Sequence, residues 1–213
     1  MRIMLDKSPA QIAEYTERYS YEFWQLRTPL TGYRLANVPY AIDNGCFTEF
    51  NRKTWDRLLE EAEAKACDFS DPTNARPPVF VTLPDIVASA ARTLDLFDYF
   101  KTYTVGFNRA LVLQDGIANH RIPWDDLAAV FVGGSDSFKV SKEARDCAKV
   151  AKMLGKWVHV GRVNTARRVR DWLDLADSID GSGISRFDHM LEETLAAIRG
   201  DHPQRQLDIA CAG

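Results

Sequence analysis

WVHVGRVNTARRVRDWLDLADSIDG, residues 157–181, decides the fold class. It opens on an apolar run, WVHVG (157–161), and closes on a second short run, DSID (177–180). Between them Asn164 stands as a cap ahead of TARRVRDWL, and the stretch 164–175 has a helical pattern. Strand, helix and strand in so short a span predict a parallel pair joined by a crossover helix.

The same alternation extends through the chain. Short runs at 2–5, 39–42, 79–83, 110–114 and 129–133 join those at 157–161 and 177–180 as seven strands. Helical patterns occupy 8–19, 53–67, 86–100, 140–154, 164–175 and 188–199. Strands this continuously apolar predict a sheet covered on both faces, which leaves a closed (β/α)₈ barrel and an open doubly wound sheet. A barrel needs an eighth strand. The poorly patterned stretch 20–38 leaves strand and helix equally open.

With 213 residues, 46% hydrophobic and 27% charged, the chain reads as one soluble domain, 1–213, with a loop at 68–78 and a frayed tail from about 201. No run reaches the roughly 18 apolar residues of a membrane span, and MRIMLDKSPAQIAEY turns polar too early for a signal peptide. A cytoplasmic protein without a membrane partner is expected. Cys46, Cys67, Cys147 and Cys211 form no CxxC pair, so free thiols are expected rather than a zinc site or a disulfide framework. His120, His159, His189 and His202 show no ligand spacing, so neither a metal nor any other cofactor is expected. His159, inside an apolar strand, reads as a hydrogen-bonded core histidine without a catalytic role. The net charge of −3 argues against a uniformly basic nucleic-acid coat and leaves a local basic face open.

The unusual polar residues fall at strand ends. Asp43 follows PYAI, Asp85 follows VFVTLP, and Gln114 with Asp115 follows ALVL. Gly133 and Gly134 follow AVFV, Gly161 and Arg162 follow WVHV, and Asp180 follows DSI. In parallel α/β folds the C-terminal strand ends converge on the ligand site, so these positions nominate one pocket. Singly, each has a plainer reading as a turn former or cap, such as Asp85 capping the helix IVASAARTLDLF. The carboxylates Asp43, Asp85 and Asp180, an amide and a Gly-Gly on one rim exceed what capping requires. Phe47 and Trp124, near the same loops, read by default as core or lid residues.

These motifs, in order, resemble the tRNA-guanine transglycosylases. IDNGCF (42–47) is similar to their Asp-Ser-Gly-Gly-aromatic segment, LVLQDG (111–116) to the strand ending in a base-reading Gln, and FVGGS (131–135) to their Val-Gly-Gly-Leu. The run 159–186 resembles their Met-Gly-Val-Gly, helix and Phe-Asp-Cys-Val-Leu-Pro-Thr-Arg order, and LPDIV (83–87) falls where they carry another base-recognition Asp. The resemblance covers roughly 39–190 and implies a compact (β/α)₈ TIM-like barrel. Two departures stand out. No CxCxxC…H zinc subdomain follows the barrel, which favours DNA over tRNA as the partner and places the chain closer to relatives that put 7-deazaguanine bases in DNA. GGSDSFK (133–139) replaces the loop and Glu that suit an aminomethyl base, which points to another incoming base such as 7-cyano-7-deazaguanine.

The resemblance implies roles that the chemistry supports. Asp180 is the expected nucleophile, holding the sugar covalently between two bases, and Asp43 the general acid and base. The glycines after Asp180 are read as room for a ribose. Asp85, Gln114, Gly133, Gly134 and Ser135 form the substrate-binding set, with Phe47 stacking on the base. Arg162, Arg167, Arg170, Arg186 and Lys139 are the expected phosphate contacts, against the alternative of a solvated surface. A homodimer or partner subunit that lengthens the nucleic-acid groove stays open. So do two other functions: a glycosidase or transferase on free nucleosides or nucleotides, and a non-catalytic base-binding subunit.

Overall fold

The computed structural model describes residues 1–66 and 77–201. Most of the loop expected at 68–78, the tail after Asp201, Cys67, Cys211 and His202 lie outside the described residues. Eight strands are present: β1 (Arg2–Leu5), β2 (Phe23–Arg27), β3 (Tyr40–Ile42), β4 (Val81–Thr82), β5 (Arg109–Leu113), β6 (Ala129–Val132), β7 (Trp157–Val160) and β8 (Ser178–Asp180). Each pairs in parallel with the next, and β8 returns to β1 through Ile3 opposite Ile179. The sheet is therefore a closed (β/α)₈ barrel, and the open-sheet alternative is excluded.

The eighth strand, β2, comes from the ambiguous stretch 20–38. Its sequence FWQLR hides the alternation because Gln25 and Arg27 are buried yet polar. Gln25 is satisfied, its amide donating to the carbonyls of Lys7 and Arg34 and accepting from Ala36 N–H, while Arg27 donates through Nη2 to Tyr33 O and to Glu61 on the helix that follows β3 and keeps its Nε and Nη1 without partners among the described residues. Burial of hydrogen-bonded polar groups costs little, so the strand needs no apolar residue there.

Helices α1 (Pro9–Tyr19), α2 (Arg52–Ala66), α3 (Ala90–Phe100), α4 (Asp136–Lys139), α5 (Lys142–Met153), α6 (Ala166–Trp172), α7 (Ser182–Arg186) and α8 (Asp188–Arg199), with short 3₁₀ helices at Lys101–Tyr103, Ile117–Asn119 and Trp124–Asp126, complete the described elements. The helix expected at 140–154 is α5, which starts at Lys142 after its cap Ser141, and a further short helix, α4, capped by Ser135, precedes it; both caps act through their side-chain oxygens. The helix expected at 86–100 begins only at Ala90, after Ser89. Asp85 therefore caps no helix.

Two apolar clusters hold the molecule together. The larger lies between sheet and helices and includes Trp55, Phe97, Val130, Val160 and Trp172. The smaller gathers Met4, Leu26, Ala41, Phe80, Ala110 and Ala129, with Trp24 and Trp157 stacked at 5.5 Å and Phe131 alongside. Alternating small and large side chains fill the barrel as a packed interior rather than a pore. What stays open is the end where the strands terminate.

Candidate active site

Two lobes of one depression lie at the C-terminal ends of the strands. The first is lined by Thr82, Asp85, Val112, Gln114, Phe131, Gly133, Gly134 and Lys139. The second is lined by Asp6, Lys7, Thr28, Ser182, Ser185 and Arg186, among others. Asp43, Phe47, Arg162 and Asp180 line both, so the two central carboxylates stand at the junction.

Asp180 ends β8 and is held from below. Its Oδ1 accepts from His159 Nε2 at 2.9 Å and from the Arg162 backbone N–H at 3.3 Å. Its Oδ2 takes no hydrogen bond among the described residues, which leaves one oxygen available as a nucleophile. His159 is fully buried, one strand over on β7. Its Nδ1 lies 2.8 Å from Ser178 Oγ, which also accepts from Trp157 Nε1 at 2.8 Å. Because a carboxylate only accepts, Nε2 carries the proton, and in the neutral ring Ser178 donates to Nδ1. A chain of hydrogen bonds, Trp157 to Ser178 to His159 to Asp180, thus fixes the carboxylate. The sequence reading of His159 as a bonded core histidine holds for its burial but missed its partner. The signal was available: His159, Ser178 and Asp180 alternate along two adjacent strands and so share the inner face.

Asp43 follows β3, and its backbone N–H donates to Arg27 O at 2.8 Å. Burial, then the charges of Asp180 and Asp85, push its carboxyl up to about 7, against opposing N–H donors at Asn44 and Gly45. A carboxyl that titrates there can give and take a proton near neutral pH. Asp85 also sits above the usual range through burial, although Asn44, Cys46 and Gln114 hydrogen-bond it. Asn44 Nδ2 donates to its Oδ1 at 2.7 Å and Gln114 Nε2 to its Oδ2 at 2.6 Å, while Gln114 Oε1 accepts from Ala88 N–H. Asp85 and Gln114 therefore act as one braced unit, not as two separate readers. Each keeps spare capacity, Gln114 its second amide hydrogen and Asp85 its remaining lone pairs. Thr82, which sequence reasoning passed over, adds to the same lobe a buried hydroxyl with no partner among the described residues.

The segment after β6 departs from expectation. Gly133 spends its N–H on Leu113 O at 3.2 Å, so it donates nothing to a ligand; an added Cβ would lie 2.5 Å from Val112 Cγ1. The N–H of Gly134 has no partner among the described residues and stays available. Ser135 lines neither lobe. Its N–H and Oγ both donate to Asp115, and its Oγ caps α4, so it braces the loop instead of binding substrate. Burial alone would raise the Asp115 carboxyl, but these Ser135 bonds outweigh it and hold it below the usual range. Lys139 is 2% exposed and lines the first lobe, not an outer phosphate strip.

The arginines divide. Arg162, in the left-handed region at φ 57°, lays its guanidinium 3.9 Å from the centre of the Phe47 ring, and the pair roofs the junction. One ring face of Phe47 is thereby occupied. Arg186 is exposed and lines the second lobe. Arg167 and Arg170 are exposed on α6 and line neither. The glycines after Asp180 also serve the fold: an added Cβ at Gly181 would sit 2.4 Å from Val163 O, and at Gly183 it would meet Met190 and Asn164. They leave room for the 163–164 loop and Met190, and Gly181 also lines the second lobe beside Asp180. Cys46 and Cys147 are free thiols, and no cluster of metal-ligating residues occurs among the described residues. No described helix is long and apolar enough to cross a membrane.

A scan against protein-family models finds no match, and a comparison with curated proteins finds none.

Proposed function

We propose that the protein is a guanine transglycosylase that exchanges guanine in nucleic acid, DNA before tRNA, for a 7-deazaguanine base. One observation carries this reading: Asp43 and Asp180 stand together where the two lobes of the depression meet, so that a base in one lobe and its sugar in the other would put the glycosidic bond beside both carboxylates. Reaching C1′ of a paired nucleotide requires extrusion of the base. In the first step an Asp180 oxygen forms a bond to C1′ as the C1′–N9 bond breaks, and Asp43 gives its proton to the departing guanine. In the second, the incoming base loses its N9 proton to Asp43, N9 bonds to C1′, and the Asp180 ester bond breaks. Both carboxylates return to their starting states.

The bracing of Asp180 and the raised carboxyl of Asp43 support catalysis over the non-catalytic alternative. A second reading, a glycosidase or transferase on free nucleosides or nucleotides, is favoured by the few cations that line the depression. The two share the sugar ester and differ in what forms it. The test is to incubate protein and guanine-containing DNA, denature, and look for a protein–DNA adduct. Wild type should form it and Asp180→Ala should not; an adduct with free guanosine alone favours the second reading.

A further inference from the structure

Among the described residues, four exposed large apolar side chains line the depression: Leu30, Tyr33, Phe47 and Val87. Phe47 already stacks with the Arg162 guanidinium, and Leu30, 62% exposed, is the most open of the other three. Leu30 shares the second lobe with Asp43 and Asp180. A single exposed leucine is ordinary on a protein surface. This one differs in the frame that carries it.

Leu30 stands in the turn over 28–31, directly after β2. Pro29 precedes it, and its ring fixes the backbone angle at the second place of the turn. That ring packs against the loop after Asp43, since a Cβ added at Gly45 would lie 3.3 Å from Pro29 Cδ. Thr31 Oγ1 donates to Asp6 Oδ1 at 2.7 Å, and Thr28 Oγ1 donates to Asp6 Oδ2 at 3.4 Å. Asp6, one residue past β1, has no part in the exchange chemistry proposed above and spends both oxygens on the two ends of this turn. Thr28 is buried at its foot while Leu30 projects from it. The turn is thus braced from two sides and presents an apolar tip at the edge of the lobe that holds both carboxylates.

Extruding a guanine from duplex DNA breaks its stacking and leaves its place in the helix empty. Proteins that open a base step hold it open with an inserted apolar side chain such as Leu, Phe or Met. We infer that Leu30 is a positioning residue that enters the duplex as a wedge when the target guanine is extruded, and so keeps the base in the depression. The inference rests on the base-exchange reading above. It confines the role of Leu30 to paired substrate, because a single strand has no helix to hold open.

The test compares kcat/KM for release of labelled guanine, with 7-cyano-7-deazaguanine supplied, from three substrates: duplex DNA, a single strand of the same sequence, and a duplex whose target guanine faces an abasic site. Leu30→Ala should lower the value for the paired duplex about tenfold or more, and stay within about twofold of wild type on the other two. Leu30→Met, which keeps an apolar wedge, should restore most of the loss on the duplex. Unchanged duplex exchange in Leu30→Ala overturns the inference, and so does an equal loss on all three substrates or wild-type exchange confined to the single strand. In each of these cases base exchange itself stands. Wild type that releases guanine from none of the three removes the base-exchange reading for DNA, and the inference with it.

Discussion

Asp180 and His159 differ in how they would register in an assay. In the proposed exchange Asp180 forms the bond to the sugar, whereas buried His159 acts only through it, holding its Oδ1 from 2.9 Å. A misplaced nucleophile costs rate far more than binding, so His159→Ala should lower kcat about 100-fold with KM for DNA within about threefold. His159→Gln, whose amide can still donate, should recover part of the loss; steady-state exchange rates decide it. Asp43 is accessible through pH. As the acid of the proposed first step it must be protonated, so single-turnover guanine release should fall as pH rises through about 7. Stability follows the same proton. The folded carboxyl titrates at about 7 against an ordinary 3.8, so its contribution is full below about pH 4 and lost as pH rises through about 7. Asp43→Asn should therefore raise the melting temperature by a few degrees at about pH 8 and leave it unchanged at about pH 4.

At the scale of elements, seven of the eight strands were legible because their apolar runs are bounded by polar residues. The eighth was not, since Gln25 and Arg27 are buried by hydrogen bonds to a loop that no periodicity encodes. The rim was legible for the same reason as the strands: Asp43, Asp85, Gln114 and Asp180 sit one or two residues past apolar runs. Ser135 and Gly133 misled because a motif does not reveal whether its N–H and hydroxyl groups are already committed to Asp115 and Leu113. His159 was passed over because a histidine in an apolar strand reads as core until its register against Ser178 and Asp180 on the neighbouring strand is drawn. The inner face of β7 carries a further test. Gly161 leaves no room for a side chain, as a Cβ there would lie 2.3 Å from the Phe131 ring. Gly161→Ala should cost about 1–3 kcal/mol in a denaturant titration by overpacking the barrel.

For the whole molecule, the question is how a chain of net charge −3 would hold a polyanion. The depression presents Lys7, Lys139, Arg162 and Arg186, while Arg167 and Arg170 stand away from it. Few phosphate contacts imply a shallow salt dependence of DNA binding. Arg186→Ala should reduce the slope of log K against log salt by about one, and Arg167→Ala and Arg170→Ala should leave it unchanged. The most direct test of the central claim is base exchange itself. Double-stranded DNA and tRNA, each with labelled guanine, are incubated with the protein in the presence and absence of 7-cyano-7-deazaguanine, beside Asp180→Ala. The account predicts label release from DNA that requires the added base and disappears in the variant. Retention of label in both polymers, with wild-type protein cleaving a free nucleoside, would contradict it.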